Sequence, residues 1–142
     1  MKNPLLLTET LIRVRFSEVD SMGVVWHGHY IRYFEDGRED FGQKFGISYM
    51  DFYQQNILVP IVKIDCNYKK PLIYGDTALI ETRFADCAAA KILFNYTIYN
   101  NRNHEVVATG STTQVFMNLN RELVLNFPPF FLEWKKRNGL TH

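Results

Sequence analysis

Apolar and polar residues alternate in five stretches of the chain, and each stretch predicts a β-strand. In the first, Ile12, Val14 and Phe16 alternate with Arg13 and Arg15. Alternation with a period of two is typical of a strand that buries one face. The last stretch is longer than most strands, and Gly110 near its middle predicts a bulge or bend. The five stretches are residues 11–17, 62–69, 77–84, 92–98 and 106–117.

Between the first two strands the apolar period changes from two to about four. Four aromatic residues share one stripe at helical spacing: Tyr30, Phe34, Phe41 and Phe45. This spacing predicts an amphipathic helix over residues 29 to 45, and Gly46 is suited to cap it. Gly37 lies in the middle of the stripe, where a glycine costs about 1 kcal/mol relative to alanine. The helix backbone at Gly37 is therefore expected to lie very close to the surface on which it packs.

The order of these elements predicts an α+β protein. One strand is followed by the helix and then by four strands joined mostly by short turns, which indicates an antiparallel meander. A strongly curved sheet around one buried helix is the simplest arrangement. Pro128-Pro129 predicts the start of a short terminal helix with Phe131, Leu132 and Trp134. No repeat or linker divides the sequence, so we expect a single domain over residues 1–142.

Composition excludes several classes of function. The formal net charge is +1, from 16 basic and 15 acidic residues, so we expect no nucleic-acid partner and no strong attraction to an anionic membrane. No apolar stretch reaches the ~18 residues of a membrane span. The first eight residues contain only a short leucine run, too short for the core of a signal peptide, which predicts a cytoplasmic protein. Cys66 and Cys87 are expected to be free thiols.

The sequence offers little to a metal ion. His27 and His29 lie a few residues before Glu35 and Asp36, but these residues do not have the spacing of a known metal site. We therefore expect no metal and no cofactor.

Residues 14 to 46 contain the most specific pattern in the chain. A strand leads to Asp20, and a defined series of residues follows: Gly23, Val24, Val25, Trp26, His27 and Tyr30. This pattern resembles the first strand and helix of the 4-hydroxybenzoyl-CoA thioesterase-like family of hotdog-fold acyl-CoA thioesterases. Residues 65–71, followed by Gly75-Asp76, are similar to a second signature of that family.

The resemblance implies a fold, an activity and an assembly. The fold is the hotdog, a curved five-stranded antiparallel sheet wrapped around a long central helix. The activity is hydrolysis of an acyl-CoA or acyl carrier protein thioester. The assembly is a homodimer or homotetramer with active sites between subunits.

The resemblance also implies roles for individual residues. Asp20 matches the catalytic aspartate, and the backbone N–H of His27 or Gly28 matches the donors that polarise the thioester carbonyl. The His27 side chain is expected to be a wall of the pocket or a proton-transfer group. The residues expected to contact substrate are Val25, Trp26, His29 and Tyr30.

Two departures from the family pattern leave the acyl group open. Glu18-Val19-Asp20 stands where the family often has acid-Thr-Asp, and His29 replaces a common asparagine. Lys69 and Lys70 are candidates to hold CoA phosphates as point charges. The alternative is that they are an ordinary basic end of a strand.

Thioester chemistry suits a site with so few functional groups. The leaving thiol has a pKa of about 8 to 9, so it departs without a general acid. A nucleophile or a base is still needed, together with donors at the carbonyl oxygen, which a helix N-terminus provides. Whether Asp20 attacks the carbonyl or activates water stays open.

Two other functions fit the same sequence. A hydroxyacyl-thioester dehydratase would need a histidine and an acid on the helix, and the Asp20 motif argues against it. A non-catalytic module that binds acyl thioesters or acyl carrier protein would need the pocket but not Asp20. A loop aspartate is often only a turn former or a helix cap, in which case Glu18 and Glu35 remain as candidate catalytic carboxylates.

Overall fold

The computed structural model describes residues 6–140, in which one antiparallel sheet packs against a helix of 17 residues. A short 3-10 turn at Phe16–Glu18 precedes that helix. The elements in chain order are β1 (Leu7–Arg13), α1 (His29–Phe45), α2 (Tyr49–Tyr53), β2 (Ile61–Tyr68), β3 (Thr77–Ala85), β4 (Lys91–Asn100), β5 (Val106–Met117), β6 (Leu123–Val124) and α3 (Pro129–Arg137).

The sheet has the strand order β1-β3-β4-β5-β2, and every pairing is antiparallel. The prediction of an α+β protein with an antiparallel sheet is confirmed. The predicted count of five strands is wrong, because the two residues of β6 pair with Phe116 and Met117 at the end of β5. A pair of residues is too short for an alternating pattern to be visible in the sequence.

Helix α1 is the helix predicted over residues 29 to 45, and it ends at Gly46 in the left-handed conformation with φ of 79°. Gly37 is buried against β3. A Cβ atom at Gly37 would lie 2.3 Å from Thr82 Oγ1 and 2.8 Å from Ile80 Cγ2. The expected close approach of the helix backbone is therefore confirmed, and its partner is the inner face of β3.

The prediction of a bulge at Gly110 is wrong. Gly110 pairs in regular register with Tyr96 on one side and Cys66 on the other. A Cβ atom there would lie 2.5 Å from the Phe34 ring and 2.5 Å from the Asp65 carbonyl oxygen. The glycine makes room for the Phe34 ring, which stacks on Tyr96 with 4.5 Å between ring centroids.

The first strand was predicted over residues 11–17, which is also wrong. Strand β1 runs from Leu7 to Arg13, and its last pair is Arg13 with Thr77, the first residue of β3. Beyond that pair β1 has no further partner on β3, so the chain turns into the 3-10 segment. Phe16, expected on the buried face, is consequently exposed.

Two short helices complete the fold. Helix α3 was predicted after Pro128-Pro129, and its Trp134 Nε1–H donates to the Phe45 carbonyl at 2.6 Å. Helix α2 was not predicted, although Ser48 and Asp51 form a capping box in which Asp51 N–H donates to Ser48 Oγ at 3.2 Å. That Ser-x-x-Asp spacing was the available signal.

The tight contact at Gly37 gives a test of the fold. Gly37→Ala is expected to lower the free energy of unfolding by up to about 2 kcal/mol, because overpacking costs about 1 to 3 kcal/mol and replacing a mid-helix glycine recovers about 1. Urea unfolding measures the change. The double variant Gly37→Ala/Thr82→Ala should recover part of the loss, since Thr82 Oγ1 has no hydrogen-bond partner in the described residues. A single variant more stable than the parent would contradict this packing.

Candidate active site

The loop of residues 14–28, which joins β1 to α1, folds as a tight hairpin. Val19 and Val25 pair across it, and Trp26 N–H donates to the Glu18 carbonyl at 2.9 Å. Val25 N–H donates to the Leu72 carbonyl at 2.8 Å, which joins the hairpin to the turn before β3. The 14–28 loop is therefore held on both of its sides by backbone hydrogen bonds.

Asp20 forms the turn at the tip of this hairpin. Its carbonyl accepts Gly23 N–H at 2.9 Å, and Gly23 adopts the left-handed conformation that the turn requires, with φ of 80°. One carboxylate oxygen, Oδ1, accepts Met22 N–H at 2.8 Å. The other oxygen, Oδ2, has no donor within residues 6–140. Asp20 is thus a partly exposed turn former, and its second carboxylate oxygen has no partner in the described residues.

Glu18 is buried beneath the same loop. Its Oε1 accepts Arg15 N–H at 2.8 Å and the Tyr33 hydroxyl at 3.1 Å. Burial, together with the Glu18 carboxylate, raises the pKa of Tyr33, so the phenol remains protonated as a donor. Glu18 therefore links the loop to α1 through its hydrogen bond with Tyr33, and its buried carboxylate is not accessible to a substrate.

Two backbone donors at the start of α1 are unpaired. In the described part of the chain, the N–H groups of His27 and Gly28 have no hydrogen-bond acceptor, whereas His29 N–H donates to the Trp26 carbonyl at 2.9 Å. The Trp26 indole lies over Gly28 so closely that a Cβ atom there would be 2.1 Å from it. Free N–H groups next to a helix N-terminus form a site for negative charge.

Tyr68, the last residue of β2, holds this donor pair in place. Its hydroxyl donates to the His27 carbonyl at 2.7 Å, and its ring meets the edge of the buried Tyr30 ring at 5.1 Å. Tyr68 is half-exposed, but its partial burial and the neighbouring Cys66 thiol raise the pKa of Tyr68 to about 12, so its hydroxyl donates throughout the neutral range. The sequence placed Tyr68 on an alternating strand and within the second signature at residues 65–71, but it assigned no role to this residue.

The residues predicted to contact substrate around the helix start lie together. Val25 and Tyr30 are buried, while Trp26 and His27 are exposed and pack against each other with 4.8 Å between ring centroids. His29 meets the Trp26 ring at 5.6 Å. These side chains form a mixed aromatic surface around the two free N–H groups.

The basic pair after β2 is only partly available to a ligand. Lys70 forms an ion pair with Glu105, while Lys69 is exposed. The backbone N–H groups of Lys69 and Lys70 both donate to the Val107 carbonyl of β5, so this segment extends the pairing of β2 with β5.

Space for an acyl group exists along α1. A cavity of about 550 Å³ is bounded by α1, α2 and the inner face of the sheet, and Glu35 and Glu39 form part of its wall. The residues of its apolar lining are Ile47, Tyr49, Met50, Phe52, Ile57, Val59, Pro60, Ile61, Ile92 and Phe94. Asp20 and Gly28 are not among its lining residues.

Neither a metal cluster nor a membrane-crossing helix occurs in the described residues. Between residues 6 and 140, no three His, Cys, Asp or Glu side chains are grouped to bind a metal ion, so His27 and His29 do not join Glu35 and Asp36. No helix in that range has the length and apolarity needed to cross a membrane. Cys66 and Cys87 are free thiols, as expected.

Comparison with known proteins gives concordant relatives. A Bacillus subtilis protein named "Putative acyl-CoA thioesterase YneP" is 40% identical over 89 residues, which are 63% of this chain and 64% of that relative's length. The 1,4-dihydroxy-2-naphthoyl-CoA hydrolase of Thermosynechococcus vestitus is 24% identical over 94% of this chain and 92% of its own.

Solved structures agree with the sequence relatives. The DHNA-CoA thioesterase of Staphylococcus aureus superposes with a TM-score of 0.83 at 29% identity, covering 92% of this chain and 89% of that one. The sequence pattern of the thioesterase-like superfamily matches residues 14–135, which include the 14–28 loop, α1 and the whole sheet from β2 onward. The chain therefore belongs to the thioesterase-like superfamily.

Proposed function

We propose that this protein hydrolyses acyl-CoA thioesters to a carboxylic acid and CoA. The observation that carries the proposal is the pairing of two features on the 14–28 loop. The N–H groups of His27 and Gly28 are unpaired at the N-terminal end of α1, and Asp20 has a free carboxylate oxygen on the same loop. Family membership and the names of the relatives support the same reaction.

The reaction needs only these groups. The thioester carbonyl oxygen accepts hydrogen bonds from His27 N–H and Gly28 N–H, which stabilise the charge that develops on it. Asp20 Oδ2 then either attacks the carbonyl carbon, forming an anhydride that water hydrolyses, or takes a proton from the attacking water. In both routes the C–S bond breaks and CoA leaves as a thiolate, without a general acid.

The aromatic surface around the helix start is proposed to bind the reacting end of the substrate. Trp26, His29 and Tyr30, together with Val25, surround the two donors. Their apolar area excludes water, which strengthens each hydrogen bond to the carbonyl oxygen. The His27 ring forms one wall, held between Trp26 and Tyr68.

We also propose a homodimer, with the hotdog arrangement of one sheet continued across two chains. β2 is an edge strand, yet Val62, Ile64 and Tyr68 are 58%, 40% and 50% exposed. An open edge bearing apolar residues is typically covered by another chain. A partner on β2 would close the surface beside His27, which would place the reaction between subunits.

Asp20→Asn tests the proposed catalytic role. The change keeps the Oδ1 acceptor for Met22 N–H but removes the charge and basicity, so kcat should fall by about 100- to 10,000-fold. KM should change much less, because the loss lies in the transition state. Thiol release from a panel of short, long, branched and aromatic acyl-CoAs measures both constants. The same assay is repeated after chelation and dialysis, which should leave the activity of the parent protein unchanged.

The matched control is Glu18→Gln. Its amide oxygen can still accept from Tyr33 and from Arg15 N–H, so it should retain most of the activity. If Glu18→Gln abolished turnover while Asp20→Asn kept more than about a tenth of it, with both proteins folded, the catalytic carboxylate would be misassigned. A panel with no thiol release from the parent protein would instead favour a module that only binds thioesters.

Tyr68→Phe tests the support of the donor pair. Loss of the hydrogen bond to the His27 carbonyl should lower the free energy of unfolding by about 1 kcal/mol. Because the pKa of Tyr68 is raised above its ordinary value of 10, its contribution is complete below pH 10 and is lost as pH rises through about 12. The alkaline fall in stability should therefore be shallower in Tyr68→Phe. Identical pH–stability curves for both proteins would contradict this role.

The proposed dimer predicts a particle of twice the chain mass of 16.7 kDa, or a multiple of that. Light scattering at micromolar concentration measures the mass. Ile64→Lys places a charge on the exposed edge, where pairing would bury it, and should shift the protein towards the monomer with loss of activity. Glu122→Lys, at the exposed β5–β6 turn, is the control and should not. A fully active monomer would exclude a site between subunits.

A further inference from the structure

A groove of about 970 Å³ lies between β1 and α1, beside the 14–28 loop. Its lining is mostly polar and carries charges of both signs. The charged residues that line it are Arg13, Arg15, Arg32, Glu18, Asp36, Glu39 and Asp40.

The two signs are concentrated at different ends of the groove. At one end Thr10 Oγ1 donates to Asp40 at 2.6 Å, and at the other end Tyr33 donates to Glu18 at 3.1 Å. β1 and α1 therefore run in opposite directions past each other. Consequently Asp40 lies towards Thr10, and Arg13 and Arg15 lie towards the 14–28 loop. Arg32 is one helical turn before Asp36, and its positive charge partly offsets the burial that raises the pKa of the Asp36 carboxyl.

The loop end of the groove is positive. Glu18, its one carboxylate, is buried and already accepts two hydrogen bonds on Oε1. Within residues 6–140, Arg13, Arg15 and Arg32 form no ion pair with a carboxylate. A planar guanidinium without a partner is well suited to hold a phosphate group by two hydrogen bonds.

An exposed aromatic pair borders the same end. Phe16 is 77% exposed and Tyr74 is 60% exposed, and their rings meet edge to face at 5.9 Å. Phe16 lies four residues before Asp20, and Tyr74 follows Ile73, which pairs with Val24 of the 14–28 loop. The pair is thus built on the backbone that carries the proposed catalytic group, and an exposed aromatic face is a stacking surface for a planar base.

We propose that this end of the groove binds the nucleotide part of CoA. Phe16 and Tyr74 stack with the adenine, and Arg13, Arg15 and Arg32 bind its phosphates, while the pantetheine arm crosses the 14–28 loop to the two free N–H groups. The inference rests on the proposed hydrolysis of acyl-CoA. It is an alternative to the expectation that Lys69 and Lys70 hold the phosphates, since Lys70 is already paired with Glu105 and only Lys69 is left for a phosphate. It also selects CoA over an acyl carrier protein, whose arm carries no adenine.

The test compares an acyl-CoA with the same acyl group on pantetheine, which lacks the nucleotide. In Arg13→Ala/Arg15→Ala, KM for the acyl-CoA should rise at least about 10-fold, as expected for loss of hydrogen bonds to a charged group. KM for the pantetheine thioester and kcat for both substrates should stay within about twofold. Phe16→Ala should likewise raise KM for the acyl-CoA and leave KM for the pantetheine thioester unchanged. Lys136→Ala/Arg137→Ala removes the same two positive charges from exposed positions on α3. It is the control and should change neither constant.

Three results would overturn the assignment. The first is a parent protein that uses both thioesters with equal KM. The second is a double variant in which KM rises equally for both. The third is a selective rise of the acyl-CoA KM in Lys69→Ala/Lys70→Ala and not in the arginine variant.

A binding measurement separates this inference from the proposed hydrolysis. If the parent protein hydrolyses neither thioester, calorimetry with adenosine 3′,5′-bisphosphate still tests whether the groove binds the nucleotide, independently of any hydrolysis. Binding to the parent that is lost in Arg13→Ala/Arg15→Ala would support the nucleotide site although the hydrolysis proposal had failed. No binding to the folded parent would overturn the site.

Discussion

The closeness of α1 to β3 at Gly37 fixes the position of everything at the start of the helix. Only a residue without Cβ lets the helix axis come this near to Thr82 and Ile80. Because a helix is stiff, one contact near its middle determines where its first turn lies. The unpaired N–H groups of His27 and Gly28 are thus placed by packing some ten residues away.

The 14–28 loop depends on that placement through polar links of different kinds. A buried carboxylate, Glu18, joins it to Tyr33 on α1, and a backbone hydrogen bond joins Val25 to Leu72. The Tyr68 hydroxyl joins His27 to β2. Each link fixes a different part of the loop, so Asp20 at its tip is held although no group in residues 6–140 donates to its Oδ2. Rigid support combined with one uncommitted oxygen is what a nucleophile or base requires.

Much of this arrangement is visible in the sequence, because it follows from local rules. Alternation located β2 to β5, and a stripe of aromatics located α1. The motif around Asp20 singled out the loop and the helix start together. What failed was the bounds of the first strand: it ends beside Thr77, where β3 begins, and the position of a partner strand is not contained in the residues of the strand itself.

The supporting residues of the site were missed for the same reason. Tyr33, Tyr68 and Tyr74 contact Glu18, His27 and Phe16 of the 14–28 loop only through the fold. Tyr33 and Tyr68 lie within the two stretches that resemble the family, but the pattern alone does not tell which loop residue each of them contacts. Helix α2 was missed for a different reason. Its Ser-x-x-Asp capping box is visible in the sequence, but the helix that follows has only five residues, too few to show a periodic pattern.

Tyr68, the last residue of strand β2, connects an open sheet edge with the start of α1. Strand β2 is an open edge of the sheet, and Tyr68 bonds directly to the carbonyl of His27. A chain that docked on this edge would press on Tyr68 and, through a single hydroxyl, on the peptide that presents the donors. Contact between subunits would then also determine how the N–H groups of His27 and Gly28 are oriented. Dilution, which separates the subunits, would therefore lower the rate constant of each molecule as well as the number of sites formed between two subunits.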